Sequence, residues 1–418
     1  MPAMGLPEGL AYRAGQFTMG GVPAERLARA VGTPVYAYCV RAVERRFARF
    51  AAAFRGRNTL LCYALKANPT RGVERILARE GAGCDVVSGG ELARALASGF
   101  PAGRIVFSGV GKTAAELAQG LRAGIRAFHV ESAAELGQLE AAARRARRPA
   151  PFAVRVNPDV KAGGHAHIVT GLAETKFGVE GPQAMALYRR ARRSRWLSAV
   201  GIQSHIGSQI VSPAPYRRAL KALLGMVDRL AEEGSALQYL DIGGGMGIGY
   251  DGGPGLDPEA LARAVLPALG RRRLQLVMEP GRWLVGPAGV LLTRVLYLKA
   301  TSRRRFVIVD AGMNDLLRPA LYGARHRIVP VRPRRGEKTV VDVVGPVCET
   351  ADTLALGVRL PPLRPGDLLA VLDAGAYGSS MGSQYNSRPR PPELLVDAGR
   401  VLVARLRETY ADLVRHER

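Results

Sequence analysis

A chain of 418 residues is long enough for two domains, and a hydrophobic fraction of 47% describes a globular protein with a sizeable core. The formal net charge of +25 raises nucleic acid as a partner, but the basic residues are 53 arginines and only seven lysines. The arginines are scattered along helical stretches such as 141–148 and 188–195, with no aromatic interleaving and no recognised nucleic-acid module. They read as solvated helix faces, with polyanion binding a remote alternative. Cys39, Cys62, Cys84 and Cys348 are irregularly spaced, which suggests neither a metal site nor a disulfide framework. Reduced thiols fit the cytoplasm. No signal peptide opens the chain and no apolar run reaches about 18 residues, so a membrane location is not expected.

Residues 1–38 are rich in glycine and proline around a short helical patch at Ala24–Val31. Apolar, strand-like runs then recur at 59–66, 84–88, 104–108, 126–131, 152–157, 198–205, 237–242 and 274–279. Helical patterns at 72–79, 90–97, 114–122, 133–145, 182–193, 216–233 and 258–269 lie between most of them. Eight strands alternating with helices over roughly 240 residues predict an α/β fold of the (β/α)8, TIM-like barrel type. A doubly wound open sheet is the alternative that alternation alone leaves open. The segment 160–175 is read as an active-site loop. Beyond 288 the runs at 290–299, 306–310, 339–344, 368–372 and 393–403 are separated by Pro/Gly turns with few convincing helices. A β-rich C-terminal domain is therefore expected, with the barrel at 39–287 and residues 1–38 packing with 288–418.

A barrel requires its chemistry at the C-terminal ends of the strands. Those ends carry, in order, Lys66, Ser88, Ser108, His129 with Glu131, Arg155 with Asn157, His205, the glycines 243–245, and Glu279. Each alone could be a strand-end cap, but together they point to one functional rim.

The first run, Thr59-Leu60-Leu61-Cys62-Tyr63-Ala64-Leu65-Lys66, ends on a lysine, and Asn68-Pro69 breaks the strand. Desolvation there would lower the pKa of the amine and make it a Schiff-base nucleophile; the plainer alternative is a lysine reaching into solvent. Asp241-Ile242-Gly243-Gly244-Gly245-Met246-Gly247 follows the seventh run. Its glycines let backbone N–H groups converge on an anion, although such a turn is often only a tight loop. His205-Ile206-Gly207-Ser208-Gln209 adds a flat ring and a hydroxyl, while Glu279-Pro280-Gly281-Arg282 adds a carboxylate and a guanidinium. A reactive lysine, a phosphate cradle, a flat side chain and a buried carboxylate are what pyridoxal phosphate requires. An acid opposite the ring nitrogen favours decarboxylation over racemisation.

These blocks, with Arg155-Val156-Asn157-Pro158, Lys176-Phe177-Gly178, Arg318-Pro319-Ala320-Leu321-Tyr322, Gly345-Pro346-Val347-Cys348-Glu349-Thr350, Gly375-Ala376-Tyr377 and the stretch from Ser383 to Pro391, resemble the barrel-type, group IV pyridoxal-phosphate decarboxylases over nearly the whole chain. The resemblance implies pyridoxal-phosphate fold type III, the alanine-racemase-like architecture. It implies Lys66 as the lysine that binds the cofactor aldehyde, His205 stacked on its ring and Glu279 on its ring nitrogen. Ser208, Gly244, Gly281, Arg282 and Tyr377 are implied around the phosphate. Cys348 resembles the general acid, and Arg282, Arg318, Tyr322, Glu349 and Tyr377 the substrate-binding set. Cys348 and Glu349 would come from the neighbouring subunit of a head-to-tail homodimer. The implied reaction converts meso-diaminopimelate to L-lysine and CO2 with loss of the carboxylate at the D centre, the last step of lysine synthesis.

Two guanidiniums suit a distal carboxylate and Glu349 suits a distal ammonium. A substrate such as ornithine would leave Arg282 and Arg318 unpaired, a cost of several kcal/mol by rough estimate. A decarboxylase of a related basic amino acid or of carboxynorspermidine remains open, as does a non-catalytic regulatory homologue, against which the intact Lys66 and Cys348 speak. Thr350, where many members of that family carry serine, is the one departure noted.

Overall fold

The computed structural model describes residues 5–160 and 175–418, and most of the loop at 160–175 lies outside the described residues. Eight parallel strands form a closed barrel: Thr59–Ala64, Gly83–Val86, Ile105–Phe107, Ala127–Val130, Ala150–Arg155, Leu197–Gln203, Tyr239–Asp241 and Gln275–Met278. The last strand closes on the first, with Leu276 opposite Thr59. The open-sheet alternative is thereby excluded. Between the strands run helices Arg71–Arg79, Gly89–Ser98, Ala114–Ala123, Ala133–Ala146, Gly181–Ala191, Ala214–Glu232 and Pro258–Leu269. Three of them begin at Ser88, Thr113 and Ser132, whose hydroxyls accept from the N–H groups of Glu91, Glu116 and Glu135. One long helix, Val40–Ala53, was not anticipated. Its buried Val40, Val43, Phe47 and Phe50 recur at helical spacing, a signal diluted by interleaved arginines.

Period-two alternation divides each barrel strand between the interior and the helix layer. Leu60, Cys62, Val106, Ala127, Ala153, Val200, Tyr239 and Val277 form an apolar cluster of their own, whereas Leu61, Tyr63, Phe107, Phe128 and Phe152 belong to the larger core. Two positions beyond the inner residues, on the same side, come Ser108, His129, Arg155, Asp241 and Glu279, all buried. Asp85 follows Gly83, where an added Cβ would lie 2.9 Å from Cys62 Sγ, and Gln203 follows Gly201, where one would lie 2.4 Å from the Tyr239 ring. The barrel is thus filled by an apolar layer with a polar layer above it at the C-terminal ends.

A nine-stranded sheet forms the second body, in the order Thr353–Leu360, Thr339–Val344, Arg305–Val309, Gly289–Ala300, Val35–Cys39, Glu393–Asp397 and Arg400–Arg405, with Ile328–Pro330 and Leu368–Val371 joined at its side. The run at 393–403 is two strands, folded back at Ala398 and Gly399, both at positive φ. Thr353–Leu360 was not anticipated, nor was Val35–Cys39, which lies between Gly289–Ala300 and Glu393–Asp397. Residues Leu10–Arg13, Gln16–Met19 and Val22–Pro23 make a small antiparallel sheet. Among the described residues no helix is long and apolar enough to cross a membrane.

Candidate active site

The first barrel strand ends at Ala64, and Lys66 sits in a short 3-10 turn, Leu65–Ala67, rather than on the strand. The second body fixes this turn. Asn68 Nδ2 donates to Gly375 O at 2.9 Å, and the Tyr377 N–H donates to Ala67 O at 2.7 Å. Lys66 Nζ meets Asp85 Oδ2 at 2.5 Å, while its side chain stays 34% exposed. The expected lowering of the amine pKa is corrected here. Burial pushes it down, but Asp85, with Tyr377 and Glu279, outweighs that and holds it above the ordinary lysine range. Lys66 is therefore an ammonium paired with a carboxylate. Burial and Glu279 push Asp85 up, and Lys66 pulls it back.

Glu279 directly follows the eighth strand and is 3% exposed. Its Oε1 accepts from Gln203 Nε2 at 3.2 Å and lies 3.5 Å from His129 Nδ1. Burial alone would raise its pKa, yet His129 and Lys66 hold the carboxyl below the usual range, so Glu279 is anionic. Asp241 accepts from the Gly243 N–H at 2.7 Å, and burial together with Glu279 pushes its carboxyl well up. His129 also contacts Ser108 Oγ at 3.0 Å and Tyr239 Oη at 3.1 Å. His129, Asp241 and Glu279 are close enough to meet a cation, but the ring contacts of His129 and the Gln203 amide on Glu279 make them a hydrogen-bonded group within the polar layer.

Around the rim, Gly244 donates its N–H to His205 Nδ1 at 3.1 Å. Burial first, then Arg155 and Lys66, lower the His205 pKa to about 3, leaving a neutral, flat ring whose side chain is 20% exposed. Glycine is required at 244, because a Cβ would fall 2.0 Å from Glu279 O. Gly281 packs against the Lys66 turn, its added Cβ 3.0 Å from those of Ala64 and Ala67. Arg282 donates to Ser208 Oγ at 3.1 Å and to Tyr250 Oη at 2.8 Å, and its guanidinium carbon lies 4.7 Å from the Tyr377 ring centre.

Arg318 opens the short helix Arg318–Tyr322, so Arg318 and Tyr322 share a face one turn apart. The Arg318 guanidinium lies 4.6 Å from the Tyr250 ring centre, which places Tyr250 between the two arginines. Both guanidiniums are buried, and among the described residues both Nε atoms lack a hydrogen-bond partner and neither arginine makes an ion pair. Such cations demand anionic ligands.

Some expected residues fall elsewhere. Cys348 and Glu349 sit in an exposed loop. The Cys348 N–H donates to Asn386 Oδ1 at 3.0 Å, and Glu349 accepts from Tyr385 Oη. No hydrogen bond or ion pair among the described residues joins them to the Lys66 group. Ser88 is a helix cap. Glu131 pairs with Arg155 at 2.9 Å and also accepts from the Gly109 and Gly178 N–H groups. Asp85, Gln203, Tyr250 and His326 were missed. The period-two register could have found the first two, since each lies two positions beyond an inward residue.

The residues present fit pyridoxal phosphate by their chemistry. A partly exposed lysine, an anionic carboxylate and a neutral ring stand at the C-terminal end of the barrel, with a hydroxyl and a guanidinium paired on the same rim. The family profile described as pyridoxal-dependent decarboxylase, pyridoxal binding domain, matches residues 40–286, so the fold and site define a pyridoxal-dependent decarboxylase. The chain is 48% identical over 404 residues to diaminopimelate decarboxylase of Pseudomonas fluorescens, covering 96% of this chain and 97% of that one. It superimposes on diaminopimelate decarboxylase from Helicobacter pylori complexed with L-lysine at a TM-score of 0.91 and 42% identity, covering 94% and 99% of the two chains. Against diaminopimelate decarboxylase from M. jannaschii in complex with L-lysine the TM-score is 0.94 at 36% identity, covering 98% of each chain. The chain belongs to the diaminopimelate decarboxylase family.

Proposed function

We propose that this protein decarboxylates meso-2,6-diaminopimelate to L-lysine and CO2 with pyridoxal 5′-phosphate, losing the carboxylate at the D centre. Of the two guanidiniums buried on either side of Tyr250, that of Arg318 carries the substrate class, because it has no carboxylate to pair with among the described residues. One guanidinium beside Ser208 suits a phosphate, and the other suits a carboxylate remote from the reacting carbon.

Lys66 would hold the cofactor aldehyde carbon, with His205 against the ring face and Glu279 at the ring nitrogen. Ser208, Gly244, Gly281, Arg282 and Tyr377 would surround the phosphate. When bound, the cofactor supplies an electrophilic carbon and a conjugated ring that accepts the electron pair left by the departing carboxylate. The chain does the rest. Asp85 takes up or returns the proton that Lys66 Nζ must shed to act as a nucleophile. Glu279, anionic in its buried setting, stabilises a proton on the ring nitrogen. Arg318 and Tyr322 clamp the distal carboxylate, and Glu349 the distal ammonium. Cys348 Sγ delivers a proton to the α-carbon once CO2 has left.

Cys348 and Glu349 lie on an exposed loop with no hydrogen bond or ion pair, among the described residues, to the Lys66 group of their own chain. That supports a head-to-tail homodimer in which each subunit completes its partner's site. We take 39–287 as the barrel domain, with 1–38 and 288–418 as the second. The four free cysteines and a role in lysine synthesis fit the cytoplasm. Offering diaminopimelate, ornithine, arginine and carboxynorspermidine in competition tests the reading. Diaminopimelate should be consumed first by a wide margin; a preference for any of the others would overturn the assignment.

A further inference from the structure

Arg318 has a second neighbour outside every motif considered above. His326 is 2% exposed, with Nδ1 2.8 Å from Leu372 O and Nε2 2.8 Å from Arg318 Nη1. A carbonyl only accepts and a guanidinium only donates. One neutral tautomer satisfies both contacts: the proton resides on Nδ1, and Nε2 offers its lone pair to Arg318. A protonated ring would turn an N–H toward a cation. In agreement, burial and then Arg318 depress the His326 pKa to about 3. Tyr250 packs edge-on to the imidazole at 5.0 Å and lies 4.6 Å from the Arg318 guanidinium. Arg318 is thus tethered at one corner by His326 and supported by Tyr250, while its Nε has no partner among the described residues.

We propose that His326 is a positioning residue that aims the Arg318 guanidinium at the distal carboxylate of the substrate and so sets the preference for ligands that bear one. A long arginine side chain loses considerable rotamer freedom when ordered. Fixing it before the ligand arrives removes that cost from binding. The inference rests on the reading of Arg318 given under Proposed function.

The product L-lysine keeps the distal carboxylate and cadaverine lacks it, so their affinity ratio isolates this contact without turnover. Both amines are titrated calorimetrically into holoprotein of wild type, Arg318→Ala, His326→Leu and His326→Gln. Wild type should favour lysine, and Arg318→Ala should abolish that preference. His326→Leu should cut it by about tenfold or more, the range for a hydrogen bond to a charged group, with cadaverine and cofactor affinity unchanged. His326→Gln, which can accept from Arg318 and donate to Leu372, should restore most of it. In turnover, His326→Leu should raise KM with little change in kcat. Should His326→Leu not fold, His326→Phe keeps a flat ring without the acceptor and supports the same comparison. A wild-type preference retained in His326→Leu, or equal losses for lysine and cadaverine, overturns the positioning role alone. A preference that survives Arg318→Ala overturns the carboxylate clamp and this inference with it.

Discussion

Lys66 and Asp85 leave neighbouring parallel strands and close a 2.5 Å ion pair at the barrel rim, where Asp85 stands opposite Ala64 in the register. Asp85 is buried, so its charge acts on the amine with little screening. Asp85→Asn should lower the Lys66 pKa by about 1–2 units, since burial would then act with less opposition. Acetylation of the cofactor-free protein, mapped to Lys66 by mass spectrometry across pH, reads this directly. An unchanged pH dependence would show that the carboxylate does not govern the amine.

The close approach of Gly244 to the eighth strand makes a stability prediction. A Cβ there would lie 2.0 Å from Glu279 O and 2.9 Å from Glu279 C, both backbone atoms that no rotamer change can move. Gly244→Ala should destabilise the cofactor-free protein by on the order of 3 kcal/mol and weaken cofactor binding. Urea denaturation and cofactor titration check the two effects, and near-wild-type values in both would mean that the loop yields.

Removing the reactive groups one at a time separates their roles. Lys66→Ala should lose both the visible absorption of the bound cofactor and turnover, whereas Cys348→Ala should keep the absorption and lose most turnover. The placement of Cys348 and Glu349 on an exposed loop adds a sharper expectation. If subunits share sites, mixing and reassociating the two inactive variants should restore about a quarter of wild-type activity, since half of the dimers would hold one intact site of two. No recovery after verified subunit exchange would place each site within one chain.

The buried histidines predict a pH dependence of stability. His205 and His326 are each held to about 3 in the folded state, below an unfolded value near 6.5. Between those limits the unfolded chain binds the extra protons, so each histidine withdraws stability as pH falls from about 6.5 toward 3, by about 1.4 kcal/mol per pH unit. Asp315 and Asp373, raised to about 7 and about 6 mainly by burial, act in the opposite sense because the folded state holds their protons more tightly. A single variant isolates one histidine. His326→Gln should lose less stability than wild type between pH 7 and pH 5, by up to about 2 kcal/mol. Urea denaturation of the cofactor-free proteins at both pH values measures this, and identical losses would contradict a buried neutral His326.

Much of the barrel was legible because parallel strands buried on both faces read as apolar runs, and all eight runs correspond to strands. Lys66, His205 and Glu279 stood out because each closes such a run, and Arg282 because it comes three residues after one. Asp85 and Gln203 were hidden because they interrupt one, between Cys84 and Val86 and after Ile202, where only the register of inward residues distinguishes them. Tyr250 and His326 owe their place to contacts across the two bodies of the molecule, Tyr250 meeting both His326 and Arg318, which no local pattern announces. The state of Lys66 was misjudged for a related reason. Desolvation can be inferred from one strand, but the carboxylate that reverses its effect comes from the next.

The central claim is most directly tested by stripping the purified protein of cofactor, supplying meso-diaminopimelate, and following CO2 and L-lysine before and after addition of pyridoxal phosphate. The account predicts no release before addition, then equimolar CO2 and L-lysine afterwards, and none at any stage from Lys66→Ala. Turnover without the cofactor, or a cofactor-loaded wild-type protein that leaves diaminopimelate intact, would contradict it.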